Sequence, residues 1–523
     1  MRRDRRDLLR GAAALGATAL VGPSGATAAA PTREAGEDPP TDPSIRVPAR
    51  TLVGEQVRIR LAGFAPDADV AVTATATDSR GVEFARTWTR RTDASGAATI
   101  GDAGTDGGGE DVRTAERRGD ARAAGATTRP DRSDSRWTAL GPGFDAPEPP
   151  GVEMLLHRLT PRADSPPPPR TGSLPANRTT TARTPTAGGN AAFIWGDRPT
   201  VEVRLTARAA GERRATATLT RVRTDPGVTR RTVESDGLVG WLYRPPGDGP
   251  RPGVLVLHGS QAVVPHRLSR QLATYGYATL ALQYVGADGL PASVDDVPLE
   301  YFGRAVRWLA DRDGVRDDRT GFVGFSRGVE AALLAAADFP GEAVAVGYSG
   351  SGVCGPGVNE AANAVTDWGS AWTRDGDPVA GADAVRPVFR AVRALRYSCE
   401  TPDCALAAVR ERVEASTLRR AAIPVEEIDG PVLLLAGAND ATWPAPVLSA
   451  LAVDRLRRRG HGAPYQLRTY DGAGHVFYLP YYSYAGDLTG PAYGGSPAAN
   501  AFAAADSWPT VLRYLRAGLR TEA

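Results

Sequence analysis

A chain of 523 residues has room for two or three domains, and 42% hydrophobic with 23% charged residues is the composition of a globular protein. The formal net charge of +2 removes the electrostatic case for nucleic acid as a partner. All 62 basic residues are arginine, which excludes Schiff-base chemistry and a lysine-bearing phosphate loop.

In chain order, Arg5-Arg6-Asp7-Leu8-Leu9 reads as a twin-arginine export signal, followed by a mildly apolar run at 11–21 and a small-residue cleavage site at Ala26-Thr27-Ala28. The run is too short and too rich in glycine for a membrane span. Residues 1–28 are therefore read as a signal peptide and 29–44 as a polar linker. The expectation is an exported protein (periplasmic, cell-surface or extracellular) without a membrane span in its mature part.

Residues 45–228 read as an all-β domain. Val57-Arg-Ile-Arg-Leu61, Val70-Ala-Val-Thr-Ala-Thr-Ala76 and Phe84-Ala-Arg-Thr-Trp-Thr89 alternate apolar and polar residues with turn residues between them, the pattern of an antiparallel sandwich. Two stretches near 101–148 and 162–196 are rich in Gly, Asp, Arg, Thr and Pro, and hold too few aliphatics to order themselves. They are read as insertions, with a strand predicted between them at 151–158. Asn177-Arg178-Thr179 is a glycosylation sequon by pattern alone. Alternation resumes at 201–223, and 233–243 predicts a hairpin leading into the next domain.

Residues 229–523 read as a doubly wound α/β domain with a mostly parallel sheet. Apolar runs at 253–257, 278–282, 321–325, 343–348, 431–436 and 465–470 have the near-continuous hydrophobicity of strands buried on both faces. Helices are predicted at 266–275, 299–311, 329–337, 446–459 and 499–519. Residues 352–428 interrupt this alternation and are read as a cap over the carboxyl ends of the strands.

The chemistry centres on Gly324-Phe325-Ser326-Arg327-Gly328, a G-x-S-x-G turn between an apolar strand and an alanine-rich helix, which makes Ser326 the candidate nucleophile. A serine hydroxyl needs a base, and the base needs an orienting acid. Asp440, in the loop after the strand at 431–436, is the candidate acid, with Asp471 and Asp429 as rivals. His475, in the glycine-bearing loop after 465–470, is the candidate base. The order Ser326, Asp440, His475 is that of α/β hydrolases. Two backbone N–H groups would hold the oxyanion: that of Arg327, and that of Ser260 or Gln261 after the strand at 253–257. His258 is read as a packed residue. Cys399 and Cys404 are spaced for a small disulfide in an oxidising compartment, with two reduced thiols as the alternative. Cys354 and the five histidines show no metal-ligand spacing, so neither metal nor cofactor is expected.

These motifs resemble the acyl-CoA thioesterase / bile acid-CoA:amino acid N-acyltransferase family. The resemblance is carried by residues 297–306, the elbow 324–328, residues 423–444, Ala473-Gly474-His475 and Gly494-Gly495-Ser496-Pro497, together with 52–66 near the N-terminus. It implies an immunoglobulin-like β-sandwich ahead of an α/β-hydrolase domain, and a nucleophile, acid and base at Ser326, Asp440 and His475. Family members that conjugate amino acids resemble cysteine-nucleophile enzymes, and a serine favours transfer to water. Coenzyme A is cytoplasmic, so export departs from an acyl-CoA substrate.

The expected function is a serine acyl hydrolase, thioesterase-like, acting on a small-molecule acyl thioester or ester. Alternatives are a secreted carboxylesterase or lipase-like hydrolase, an acyl transferase to an amine, and a non-catalytic β-sandwich binding protein with an inactive hydrolase domain. Acyl chain, leaving group and oligomeric state are not written in the sequence.

Overall fold

The computed structural model describes residues 42–520 apart from 54, 56, 80, 82, 101–159, 162–194, 197, 210–213, 340, 360–363, 396–401 and 481–491. The strand predicted at 151–158, the signal region and Cys399 lie outside the described residues.

The N-terminal part holds two sheets. One has six strands in the order Arg50–Leu52, Arg214–Val222, Thr200–Ala209, Asp69–Thr77, Glu83–Arg91 and Thr160–Pro161, and the other pairs Ser44–Arg46, Ile59–Ala62 and Ala98–Ile100. Strict alternation along Asp69–Thr77 sends Val70, Val72, Ala74 and Ala76 inward, and these share a core with Ile59, Leu61 and Ile100 of the smaller sheet. The stretch 201–223 is a hairpin of two of these strands. Trp195, which composition alone places inside the second insertion, is instead fully buried, with the Arg223 guanidinium 5.5 Å from its ring centroid. One aromatic residue can anchor the end of a polar stretch that composition averages away.

The second part is an eight-stranded sheet of β1 (Thr229–Ser235), β2 (Leu238–Arg244), β3 (Arg251–Leu257), β4 (Ala278–Gln283), β5 (Val315–Phe325), β6 (Glu342–Tyr348), β7 (Val432–Gly437) and β8 (Tyr465–Tyr470), in the spatial order 1-2-4-3-5-6-7-8. The predicted hairpin at 233–243 is its first two strands. β2 runs antiparallel to β4, and the pairs from β4 through β8 are parallel. This is the α/β-hydrolase arrangement.

Its helices are α1 (His266–Thr274), α2 (Leu299–Ala310), α3 (Arg327–Asp338), α4 (Ala382–Ala394), α5 (Pro402–Arg412), α6 (Ala415–Ala421), α7 (Ala445–Arg459) and α8 (Pro497–Leu519). Period-two alternation divides the apolar strands between two cores. Leu255, Leu257 and Phe322 join one with α2, α3 and α7, whereas Val254, Val256 and Val323 join the other with α1 and α8. The second core also takes in the inward residues of the N-terminal sheets. Among the described residues, no helix is long and apolar enough to cross a membrane.

Between β6 and β7 the chain makes an excursion that holds α4, α5, α6 and short strands, including Pro356–Asn359, Ala364–Ser370 and Trp372–Arg374. Parallel neighbours need a crossover, and this one is far longer than a single helix requires.

Candidate active site

The site begins with backbone geometry. β5 ends at Phe325 and α3 starts at Arg327, so Ser326 takes the whole reversal, at φ 55° and ψ −122°. A side chain rarely occupies that region, and the strain is tolerated where the surroundings over-determine it. Here they do. A Cβ on Gly324 would lie 2.2 Å from the Gly328 carbonyl oxygen, and one on Gly328 would lie 2.3 Å from that of His258. Strand, helix and the end of β3 therefore meet around the serine because two glycines leave room. The Ser326 N–H donates to the Tyr348 carbonyl at 2.9 Å, tying the elbow to β6.

Asp440 and His475 enter on the loops after β7 and β8. His475 Nδ1 lies 2.7 Å from Asp440 Oδ2, and His475 Nε2 lies 3.0 Å from Ser326 Oγ. A carboxylate oxygen can only accept, so Nδ1 carries the ring proton and Nε2 presents its lone pair to the hydroxyl. The other carboxylate oxygen of Asp440 accepts from the N–H groups of Thr442 at 2.9 Å and Trp443 at 3.2 Å, which fixes the acid's plane. Ser326, Asp440 and His475 are 6%, 4% and 2% exposed. Asp471 and Asp429, the rivals for the acid position, are exposed on the surface.

A short segment clasps both loops. The Tyr493 carbonyl accepts from His475 N–H at 2.8 Å and from Ala441 N–H at 3.2 Å, and Asp440 pairs with Gly494 as an isolated bridge. Aromatic rings surround the imidazole. Phe325, Tyr493 and Trp443 have centroids 5.1, 6.3 and 6.4 Å from it, and Phe389 of the excursion lies 6.4 Å from Trp443. Tyr493, Trp443 and Phe389 were not legible as site residues in the sequence, because single aromatics in loops carry no spacing signal.

Arg327 is the first residue of α3, so its N–H is one of the first-turn amides without an intrahelical acceptor. Ser260 and Gln261 follow β3 next to the elbow: a Cβ on Gly259 would lie 3.1 Å from Ser326 Cβ. The Gln261 side chain donates to Tyr493 Oη at 2.5 Å. His258 is buried and stacked on Tyr284 at 4.0 Å, with Nδ1 2.6 Å from the Gly259 carbonyl. Burial lowers its pKa to about 4, so it is a neutral packing residue. Cys354 is free and buried, and burial pushes its thiol up to about 12, so no reactive thiolate arises there. Cys404 is disulfide-bonded. Among the described residues, no group of three His, Cys, Asp or Glu side chains could hold a metal ion.

Residues 297–521, which include the elbow and both loops, match the family described as BAAT / acyl-CoA thioester hydrolase C terminal. The similarity to this family is confined to those residues. It is 29% identical over 298 residues to acyl-coenzyme A amino acid N-acyltransferase 1 of Mus musculus, a match covering 56% of this chain and 65% of that protein. It is 27% identical over 295 residues to the Mus musculus peroxisomal succinyl-coenzyme A thioesterase, covering 55% of this chain and 65% of the relative. It is 30% identical over 305 residues to the Mus musculus mitochondrial acyl-coenzyme A thioesterase 2, covering 57% of this chain and 62% of the relative. The match thus spans somewhat less than two thirds of each of these relatives. Among solved structures, a dienelactone hydrolase from Anabaena variabilis aligns with 18% identity and a TM-score of 0.30, covering 55% of this chain and all of that one. The relatives named here thus include both thioesterases and an N-acyltransferase.

Proposed function

We propose that this protein is a serine acyl hydrolase of the thioesterase type, with Ser326 as nucleophile, His475 as base and Asp440 as the acid that orients it. The observation that carries the reading is the unbroken hydrogen-bonded series from Ser326 Oγ through His475 to Asp440. In the acylation step His475 Nε2 takes the hydroxyl proton while Ser326 Oγ bonds to the carbonyl carbon. The oxyanion is held by the N–H of Arg327 and that of Ser260 or Gln261. The tetrahedral adduct collapses, the carbon–sulfur (or carbon–oxygen) bond breaks, and the imidazolium returns its proton to the leaving group. Water, deprotonated by the same imidazole, then releases the acid and restores the serine.

In this reading the excursion between β6 and β7 is a cap, and its Phe389 together with Trp443 forms part of the wall against which the acyl group lies. The N-terminal sheets form an immunoglobulin-like sandwich, and the leader at residues 1–28 exports the protein. Export would separate the enzyme from coenzyme A, so the carrier in place is another thioester or an ester. Transfer to an amine is the second reading, favoured by the N-acyltransferase among the relatives.

The test is turnover by the purified protein of acyl-CoA, p-nitrophenyl ester and peptide-ester panels, with and without glycine as acceptor, beside Ser326→Ala. Hydrolysis lost in the variant supports the reading. A wild-type protein inert on every panel and unlabelled by a fluorophosphonate would leave a binding protein.

A further inference from the structure

Arg327 faces two ways. Its amide belongs to the elbow, but its side chain is 5% exposed and runs under the excursion, where Nη1 donates to Glu330 Oε1 at 2.7 Å and Nη2 to the Pro356 carbonyl at 2.9 Å. Glu330, one helical turn along α3, is fully buried. Its Oε2 accepts from the Gly355 N–H at 2.7 Å and from Trp372 Nε1–H at 2.8 Å. All of these partners of the carboxyl are donors, which suits the ionised form. The Trp372 ring centroid lies 5.7 Å from the Arg327 guanidinium carbon. A Cβ on Gly355 would lie 1.6 Å from Arg327 Nη1, so the excursion's backbone is seated directly on the pair.

Stability is a poor reason for such an arrangement. A buried ion pair loses hydration that its mutual attraction only partly restores, and apolar side chains of similar volume often serve as well or better. What the pair does that apolar residues cannot is hold a helix start and an overlying backbone in one fixed register through directional bonds. We infer that Arg327 and Glu330 are positioning residues: their buried pair, bonded to Gly355, Pro356 and Trp372, aims the Arg327 amide at the oxyanion and locks it to the excursion. This rests on Ser326 being the nucleophile.

The test compares wild type, Arg327→Met/Glu330→Leu, Trp372→Phe and Ser326→Ala, by Tm, by kcat and KM on p-nitrophenyl acetate, and by the rate of fluorophosphonate labelling. The double variant keeps every backbone amide and fills the same space. It is expected to hold or raise Tm while kcat falls about 10- to 100-fold at nearly constant KM, the scale on which misplaced groups lose catalysis. Wild-type kcat in a stable double variant would overturn the inference and leave a structural pair. Should the double variant fail to fold, Trp372→Phe removes a single donor. A fall in its kcat without a matching fall in Tm supports the inference, and wild-type kcat overturns it. A wild-type protein that resists labelling sinks the nucleophile assignment, and the positioning role with it. Equal labelling of wild type and double variant sinks the positioning role alone.

Discussion

Ser326→Ala removes one oxygen from a site whose other members stay in place, and with the proposed mechanism it is expected to lower kcat about 10⁴-fold or more and to abolish fluorophosphonate labelling. Asp440→Asn is expected to cost about 10⁴-fold, because an amide can present its NH₂ to Nδ1 and favour the wrong tautomer. Labelling at the wild-type rate in Ser326→Ala would place the nucleophile elsewhere. Ser326, Asp440 and His475 were legible as candidates because each follows a strong apolar strand and each has a side chain that the proposed chemistry requires. The sequence put Asp440 ahead of Asp471 and Asp429, all three in loops, and the fold separates them further, burying Asp440 beside His475 and leaving the other two exposed. A second residue-scale prediction concerns pH. His258 is buried and neutral, with a folded pKa of about 4 against 6.5 when exposed. The stability this contributes is complete above the unfolded value and is withdrawn as pH falls from about 6.5 toward about 4, amounting to about 3 kcal/mol at the lower end. Thermal scans from pH 7 to pH 4 should show Tm falling in the wild type and a shallower fall in His258→Asn. Equal slopes would refute it.

An elbow is a statement about elements: β5 must stop, and α3 must start, within one residue. Gly324→Ala drives a methyl into the carbonyl of Gly328, whose backbone cannot retreat without dismantling the first turn of α3. Loss of about 3 kcal/mol or more is expected, with activity gone. Gly460 is the left-handed C-cap of α7 at φ 68°, and a methyl added there would meet nothing within 4 Å. Gly460→Ala should therefore cost only about 1–2 kcal/mol of backbone strain and leave activity intact. Equal Tm losses in the two variants would contradict this account of the elbow. The parallel strands were legible because burial on both faces writes continuous apolar runs. The short strands of the excursion were not: Pro356–Asn359 and Trp372–Arg374 owe their conformation to long-range partners such as Glu330, which no local window contains.

Across the whole molecule, the core on the α1 and α8 face of the main sheet continues into the N-terminal sheets. The joint is also polar, the Asp225 N–H donating to Thr274 Oγ1 at 3.0 Å, and beside it fully buried Arg221 donates to Thr51 Oγ1 and the Glu55 carbonyl within the N-terminal part. A shared core of this kind predicts one calorimetric transition, displaced as a unit by Arg221→Ala. Two resolved transitions would show that the parts are stable independently. The near-complete shielding of Ser326 and His475 has a further outcome for an acylated serine, which would wait out of reach of bulk solvent. Whether water or an amine then collects the acyl group becomes a question of admission rather than reactivity. A series of amines matched in basicity but graded in girth would measure the width of that passage.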